Sequence, residues 1–473
     1  MSASSTPLWT AFDIAAAVDG EVHGDFQASG VAFDSREIGP GDLFIAMKGE
    51  TTDGHTFLDK AFAAGAAGAI VSDACAGPHV RVTDTMAALE ALGIASRARM
   101  AGKVIGVTGS VGKTGTKEAL FACLDRALRG RVHRSVKSYN NHTGVPLSLA
   151  RMPADTAIGV FEMGMNHAGE LAHLTRLVRP HVAIVTAIAP AHSAFFASEA
   201  DIADAKGEIF QGLEPGGTAI LPYDSPHRDR LRAAADAHAG RILTFGHSRE
   251  ADVRVQDVVP LDNGTLVSLI LPDAELTFTI APPGAHWVSN AMAVMAAVWA
   301  VGGDLAAAGL AFADMEGLPG RGQRSTVAIG NGTALVIDES YNANPASMRA
   351  AIALLAATPP EATGRRIAVL GDMLEMGAFS AKVHEELAGP LLAAGIEHVW
   401  LAGAEMAALR DALPDSIAVE YRPTTAELVD HVVKNVRPGD VLMVKSSLGI
   451  GFGKIISALI DNYPALPERE RHL

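Results

Sequence analysis

Residues 104–116 read VIGVTGSVGKTGT. The stretch begins as an apolar, β-branched run of the kind that makes a buried strand and turns through glycines. It then leads into KEALFACLDRAL (117–128), whose apolar spacing predicts a helix. Strand, glycine-rich turn and helix in that order make a phosphate cradle. Glycines let backbone N–H groups close around phosphate oxygens, and the helix N-terminus adds partial positive charge. The Lys113 ammonium can neutralise outer phosphates, and the Thr114 hydroxyl can ligate Mg2+. Thr108, Gly109, Ser110, Val111, Gly112, Lys113 and Thr114 are therefore the candidate nucleotide-binding residues. Residue 107 is valine, so the segment is the T-G-x-x-G-K-T version of the motif and not the general G-x-x-x-x-G-K-[ST]. A glycine-rich turn without a ligand is the alternative reading.

Outward from this segment, AIGVFEM (157–163) and VAIVTAI (182–188) are further buried-strand candidates, and together the runs predict a doubly wound parallel sheet. On the N-terminal side, residues 10–98 alternate short β-like runs (GVAFDS, DLFIAM, AGAIVSD, HVRVTD) with alanine-rich helical stretches, which predicts a small α/β unit. On the C-terminal side, the Gly/Pro-rich GLPGRGQR (317–324) precedes TALVID, RIAVLGD, HVWLAG and VLMVKS, with helical patterns between them. That predicts a third unit, dinucleotide-fold-like and again α/β. The expected organisation is three domains: 1–99, 100–319 and 320–473.

Composition agrees with this division. A chain of 473 residues, 49% hydrophobic, exceeds the roughly 250–300 residues at which single cores stop growing. The formal net charge of −15 excludes the basic footprint of a nucleic-acid binder, so an anionic substrate must be held by local donors. Cys75 and Cys123 stand far apart without metal-type spacing, which argues against a disulfide framework or a zinc site. The N-terminus does not read as a secretory signal, and the apolar run near 291–301 is well short of the ~20 residues of a membrane span. A soluble, cytoplasmic protein is expected.

Mg2+ takes oxygen ligands and keeps several waters, so one or two carboxylates should complete a nucleotide site. Glu162 is the candidate, because side chains at the carboxyl end of a parallel strand face the ligand crevice. Taken alone it could equally be structural or solvated. His192, after the next apolar run, is ambiguous in the same way.

TGSVGKT, FEMGMNHAGE, AKGEIF, WVSNAMAV, GRGQR, IDESYNANPASM and LGDMLEMG, in this order over residues 30–455, resemble the Mur ligase family. The DSR…GDLFIAMKGETTDGHTF start and the SYNANPASM and LGDMLEMG segments resemble the members that add D-alanyl-D-alanine to the UDP-linked muramoyl tripeptide. The resemblance implies a UDP-binding N-terminal domain, a central ATPase domain and a C-terminal domain that closes over the reaction. It further implies two Mg2+ ions, with Lys113 on the ATP phosphates, Thr114 and Glu162 on the first ion and His192 at the second. Lys206 matches the family lysine that reacts with carbon dioxide to give a carbamate; the residue alone would read as a helix-surface lysine. Asn290 would lie by the adenine, Arg321 would reach the phosphates from the hinge, and Asp338 would lie near the ribose. Tyr341, Asn342 and Asn344 would line the same cleft. Ser35, Arg36, Lys48, Asp53, Gly54 and His55 would hold the UDP end, although each could be a turn former, Asp53-Gly54 above all. Asn140 and Asn141 would face the growing peptide.

Two departures stand out. Gly115 occupies a position where a hydroxyl residue is more usual, and VKSSLG replaces the more usual Lys-Gly-Ser, so Lys445 and Ser446 have a less certain place in the site. The chemistry implied is carboxylate activation by ATP to an acyl phosphate, followed by attack of the dipeptide amine. The family also suggests a monomer. Rivals are a ligase that adds a diamino acid or a glutamate, and a P-loop switch protein. Diamino-acid-adding ligases usually carry an arginine where this chain has GDMLEMG, and the long UDP-type N-terminal domain disfavours a ligase that adds glutamate to folate; a switch protein would not need Lys206, Glu162 and His192 around metals.

Overall fold

The computed structural model of the chain describes residues 7–49, 52–189, 196–261, 264–361 and 363–466. Within them, successive α/β units are built on three main sheets, as the alternation of strand and helix patterns predicts.

In the central sheet the parallel strands run in the order Val132–Arg134, Ile158–Glu162, Lys103–Thr108, Val182–Val185, Thr218–Pro222, Arg241–Gly246 and Val253–Leu261. Every residue of Lys103–Thr108 after the first is buried. Successive side chains of a strand point to opposite faces. Ile105 and Val107 accordingly enter a core with Leu120 and Met292, whereas Val104 enters another with Leu171 and Ile202. Helices thus cover both faces, which explains why the strand reads as one unbroken apolar run. Two antiparallel strands, Gly264–Ile270 and Glu275–Ile280, extend one edge beyond the parallel sheet that the sequence reading anticipated. Their neighbour Val253–Leu261 is buried only at Val253 and runs out into solvent, leaving Val258, Val259 and Leu261 exposed.

From Lys103–Thr108 the chain runs to the outer strand Val132–Arg134, returns to Ile158–Glu162 alongside, then crosses to Val182–Val185 on the other flank. That reversal opens a crevice at the carboxyl ends of the strands. The C-terminal sheet repeats the device. Val441–Lys445 inserts between Gly332–Glu339 and Arg366–Gly371, so Lys445 pairs in register with Glu339; Gln323–Ile329 adds an antiparallel edge.

The N-terminal sheet (Gly30–Ala32, Asp42–Ile45, Gly68–Val71, His79–Arg81, with Glu21–His23 antiparallel) is fastened to the central unit. In the helix Thr85–Arg99, the buried Arg97 guanidinium donates to the Val178 and Arg179 carbonyls, both at 2.8 Å. These are the last carbonyls of the helix Glu170–Val178, where the macrodipole favours a cation. Arg99 lies 3.7 Å from the Trp9 ring centre, and the Trp9 indole donates to the Ala150 carbonyl at 2.8 Å. The connection to the C-terminal sheet is of another kind. It runs through Gly317–Gly322, with Gly320 and Gly322 at φ 72° and 88°. No helix of the described residues is long and apolar enough to cross a membrane.

Candidate active site

A cavity of about 690 Å³ lies where the strand ends of the central and C-terminal sheets face each other. Ser110 to Gly115, Glu162 and Asn290 line one wall. Arg321, Glu339, Tyr341, Asn342, Asn344 and Lys445 line the other.

On the central wall the glycine-rich turn caps the helix Lys113–Leu128, with Gly112 at φ 86°. Gly109, at φ 151°, sits so close to the next strand end that a Cβ there would meet Thr186 Oγ1 at 1.9 Å. Thr186 closes the turn by donating to the Val111 carbonyl at 2.5 Å. Lys113 Nζ donates to the Gly109 carbonyl at 2.7 Å, folded over its own loop. Burial lowers the Lys113 amine from its ordinary value; the Glu162 carboxylate opposes that shift and Arg321 adds to it. Thr114 donates its hydroxyl to Glu162 Oε2 at 2.8 Å, and Asn140 Nδ2 donates to Glu162 Oε1 at 2.8 Å. A Cβ on Gly115 would lie 3.3 Å from the Trp287 ring and 3.4 Å from Asn290 Nδ2, so a larger residue there needs the indole to give by a few tenths of an ångström.

Lys206, at the end of the helix Glu199–Gly207, is 1% exposed and so is not the surface lysine that its residue type alone suggests. Burial first, and the Lys113 charge second, hold its amine well below the usual lysine range. His192 lies outside the described residues.

On the opposite wall Arg321 stacks over the Tyr341 ring, 4.3 Å from its centre. Lys445 Nζ donates to the Asn342 carbonyl at 2.9 Å and lies 3.3 Å from Glu339 Oε2. Asp338 stands behind this wall. Its carboxylate accepts from Gly320 N at 2.8 Å, Ser340 N at 3.0 Å and Ser340 Oγ at 2.6 Å. Asn344 caps the helix Pro345–Ala357 through a reciprocal pair with Ser347. Asn141 similarly accepts from Gly144 N at 2.9 Å, and it does not line the cavity. Ser447, rather than Ser446, is the serine that lines it.

The residues expected at the UDP end form a separate group on the N-terminal sheet. Asp53 meets His55 Nδ1 at 2.6 Å, Ser72 N donates to His55 Nε2 at 2.9 Å, and Lys48 pairs with Asp73 at 2.9 Å. Gly54 N donates to the Met47 carbonyl at 2.7 Å. Arg36, beside Ser35, grips Asp34 at 2.6 Å and holds that carboxyl down to about 2. Sequence reasoning missed Ser138, His286 and Glu339 in the cavity lining. For His286 a signal existed: it lies four residues before Asn290, on the same face of the helix His286–Ala300.

Residues 27–104 match the Mur ligase family catalytic domain, 107–298 the Mur ligase middle domain and 320–448 the Mur ligase glutamate ligase domain. A UDP-N-acetylmuramoyl-tripeptide–D-alanyl-D-alanine ligase of Bacillus subtilis (strain 168) is 35% identical, over 92% of this chain and 93% of its own. The chain belongs to the Mur ligase family. Among solved structures, MurF from Acinetobacter baumannii superposes on this Mur ligase with a TM-score of 0.82 at 30% identity, covering 96% of this chain and 99% of that one. MurF from Thermotoga maritima in complex with ADP gives 0.74 at 26% identity, over 92% and 97%. Mur ligases are ATP-dependent amide-bond-forming enzymes, and in this one the glycine-rich turn follows a strand with parallel neighbours on both sides in the largest sheet.

Proposed function

We infer that this Mur ligase joins D-alanyl-D-alanine to UDP-N-acetylmuramoyl tripeptide, giving the UDP-muramoyl pentapeptide of peptidoglycan synthesis. The observation that carries this reading is end-to-end similarity to ligases of that name, in a chain whose cavity gathers Lys113, Thr114, Glu162 and Arg321. The terminal carboxylate of the tripeptide attacks the γ-phosphate of ATP, and ADP leaves. The dipeptide amine then attacks the acyl carbon of the resulting acyl phosphate and expels phosphate. A carboxylate and a triphosphate repel each other, so holding them in line and neutralising their charge is the main task. Lys113 and Arg321 do this from opposite walls, within a chain whose net charge is −15.

The Thr114 hydroxyl, Glu162 carboxylate, Ser138 hydroxyl and Asn140 amide form an oxygen-rich group that suits a hard cation. Bound Mg2+ supplies charge neutralisation at the phosphate oxygens. Thr114 and Glu162 would hold the first ion, and the family resemblance assigns His192 to a second. Lys206 takes up carbon dioxide as a carbamate. The buried position favours the neutral amine that this addition needs; the N–C bond forms as the amine gives up a proton, and the product places an anion within reach of the Lys113 charge.

Residues 1–99 bind the UDP end through Ser35, Arg36, Lys48, Asp53, Gly54 and His55; 100–319 bind ATP, with Asn290 toward the adenine; 320–473 close the site, with Asp338 on the ribose side. Closure keeps water from the acyl phosphate. A reaction that consumes ATP and a UDP-linked precursor belongs in the cytoplasm. The test is phosphate release with Mg-ATP and UDP-muramoyl tripeptide, with and without D-alanyl-D-alanine, and the mass of the product. Release that needs both, with pentapeptide formed, supports the reading; a preference for a diamino acid and the dipeptide precursor overturns it.

A further inference from the structure

Lys117 is fully buried, at 0% exposure, in the helix that follows the phosphate cradle. It lies three residues beyond Thr114 and so on the same helix face. Lysines ordinarily run their stems along apolar surface and keep the ammonium in water, and a buried ammonium must find acceptors. This one donates to the Ser135 carbonyl at 3.0 Å and the Lys137 carbonyl at 2.5 Å. It also lies 3.0 Å from Glu118 Oε1 and 3.8 Å from Glu162 Oε2.

Two of those acceptors belong to one turn, residues 135–140, whose backbone is unusual. Lys137 has φ 54°, a left-handed conformation that a residue with a Cβ holds only when its surroundings enforce it. The Lys117 ammonium faces the carbonyl that this conformation turns inward. Side chains of the turn then alternate in direction. Ser138 and Asn140 face the nucleotide side, at 3.4 Å from Thr114 Oγ1 and 2.8 Å from Glu162 Oε1. Lys137 and Tyr139 face the N-terminal unit, where both bond Glu37, the Tyr139 hydroxyl at 2.8 Å. Glu37 directly follows Ser35 and Arg36.

We propose that Lys117 is a positioning residue that couples the nucleotide site to the UDP-side loop through the 135–140 turn, so that filling either site tightens the other. The proposal rests on the ligase reading above, which supplies the two ligands. A purely structural lysine, exchanged for methionine, would lower stability by leaving Glu118 and Glu162 without this buried cation, and would leave this coupling unchanged.

The experiment is calorimetry on the full chain with Mg-ADP and UDP-muramoyl tripeptide, each alone and each with the other present, for the parent protein and Lys117→Met. Coupling is reciprocal, so both titrations must give the same factor. We expect about fivefold tightening in the parent, falling to about onefold in a Lys117→Met protein that stays folded at the temperature of the titration. A folded Lys117→Met protein that retains the factor, or a parent with no factor, overturns the proposal. Should Lys117→Met not fold, Glu37→Gln at the outer end of the path takes its place: lost coupling with unchanged affinity for Mg-ADP alone supports the proposal, and retained coupling overturns it. A parent that binds Mg-ADP but makes no pentapeptide from the two substrates refutes the ligase reading instead, so the two failures are told apart.

Discussion

Thr114 Oγ1 donates to Glu162 Oε2 across the mouth of the central crevice at 2.8 Å, joining the first turn of a helix to the end of the adjacent strand. The carboxylate is 1% exposed, so it depends on this donor and on Asn140. A hydrogen bond to a buried charge is worth about 1.5–3 kcal/mol. We expect Thr114→Val, which keeps the shape and removes the donor, to lower kcat/KM for ATP roughly 10- to 100-fold. Thr114→Ser should recover most of the loss. Steady-state phosphate release checks both, and an unchanged kcat/KM in the valine variant would remove Thr114 from the nucleotide site.

Lys206 gives a pH-dependent expectation with a definite sign. Its amine in the folded chain is lowered from the ordinary 10.5. Between the two values the unfolded chain binds the extra proton, so stability rises with pH across that window and is penalised below it. Lys206→Met removes the penalty. In bicarbonate-free buffer at pH 7 the variant should melt above the parent, by about 2–4 °C for each kcal/mol relieved, with the gap closing toward pH 10.5, and it should be inactive in ligation. A variant that melts lower at pH 7 would mean that the ammonium is well paired.

Asp338 ties the hinge to the C-terminal sheet with three donors on its buried carboxylate. Asp338→Ala leaves Gly320 N and the Ser340 groups without it. We expect a loss of roughly 1–3 kcal/mol, read as a lower urea midpoint at unchanged slope, together with a raised KM for ATP. A midpoint equal to the parent's would show that the hinge is held by other contacts.

The two cysteines should differ in reactivity. Cys123 is 1% exposed, its thiol donates to the Ala308 carbonyl at 3.4 Å, and burial pushes its pKa up, whereas Cys75 is partly exposed. Since the thiolate is the nucleophile, titration with a chromogenic disulfide should count one reactive thiol in the native chain and two in denaturant. Two in the native chain would mean that the core around Cys123 opens readily.

Much of this architecture was legible in the sequence because its strands are buried on both faces. VIGVT, AIGVFE and VAIV stand out as apolar runs, and the residues at their carboxyl ends, Thr108, Glu162 and Thr186, come together at the crevice. The edge strands 264–270 and 275–280 were not read, since a half-solvated strand dilutes its apolar residues with polar ones. Lys206 shows the limit of residue type. DIADAKGEIF is polar enough to pass for a surface helix, and only packing of the helix against its neighbours puts that one amine inside. Lys117 is the same case. Ser138, His286 and Glu339 lie far apart in the chain; apart from the spacing of His286 to Asn290, nothing in their local patterns says that a loop, a helix start and a strand end meet at one cavity. Gly115 could be recognised as a departure, but the indole of Trp287 that packs against it is distant in sequence.

The unlike joints between the units limit how the molecule can move. Arg97, Arg99 and Trp9 make the N-terminal sheet a rigid extension of the central one, while the chain enters the C-terminal sheet through a short run rich in glycine. Three sheets therefore behave as two levers on a single pivot. Any swing about residues 317–322 carries Glu339 and Lys445 away from the phosphate cradle as one piece, and leaves the path from Arg36 to Glu162 at fixed length.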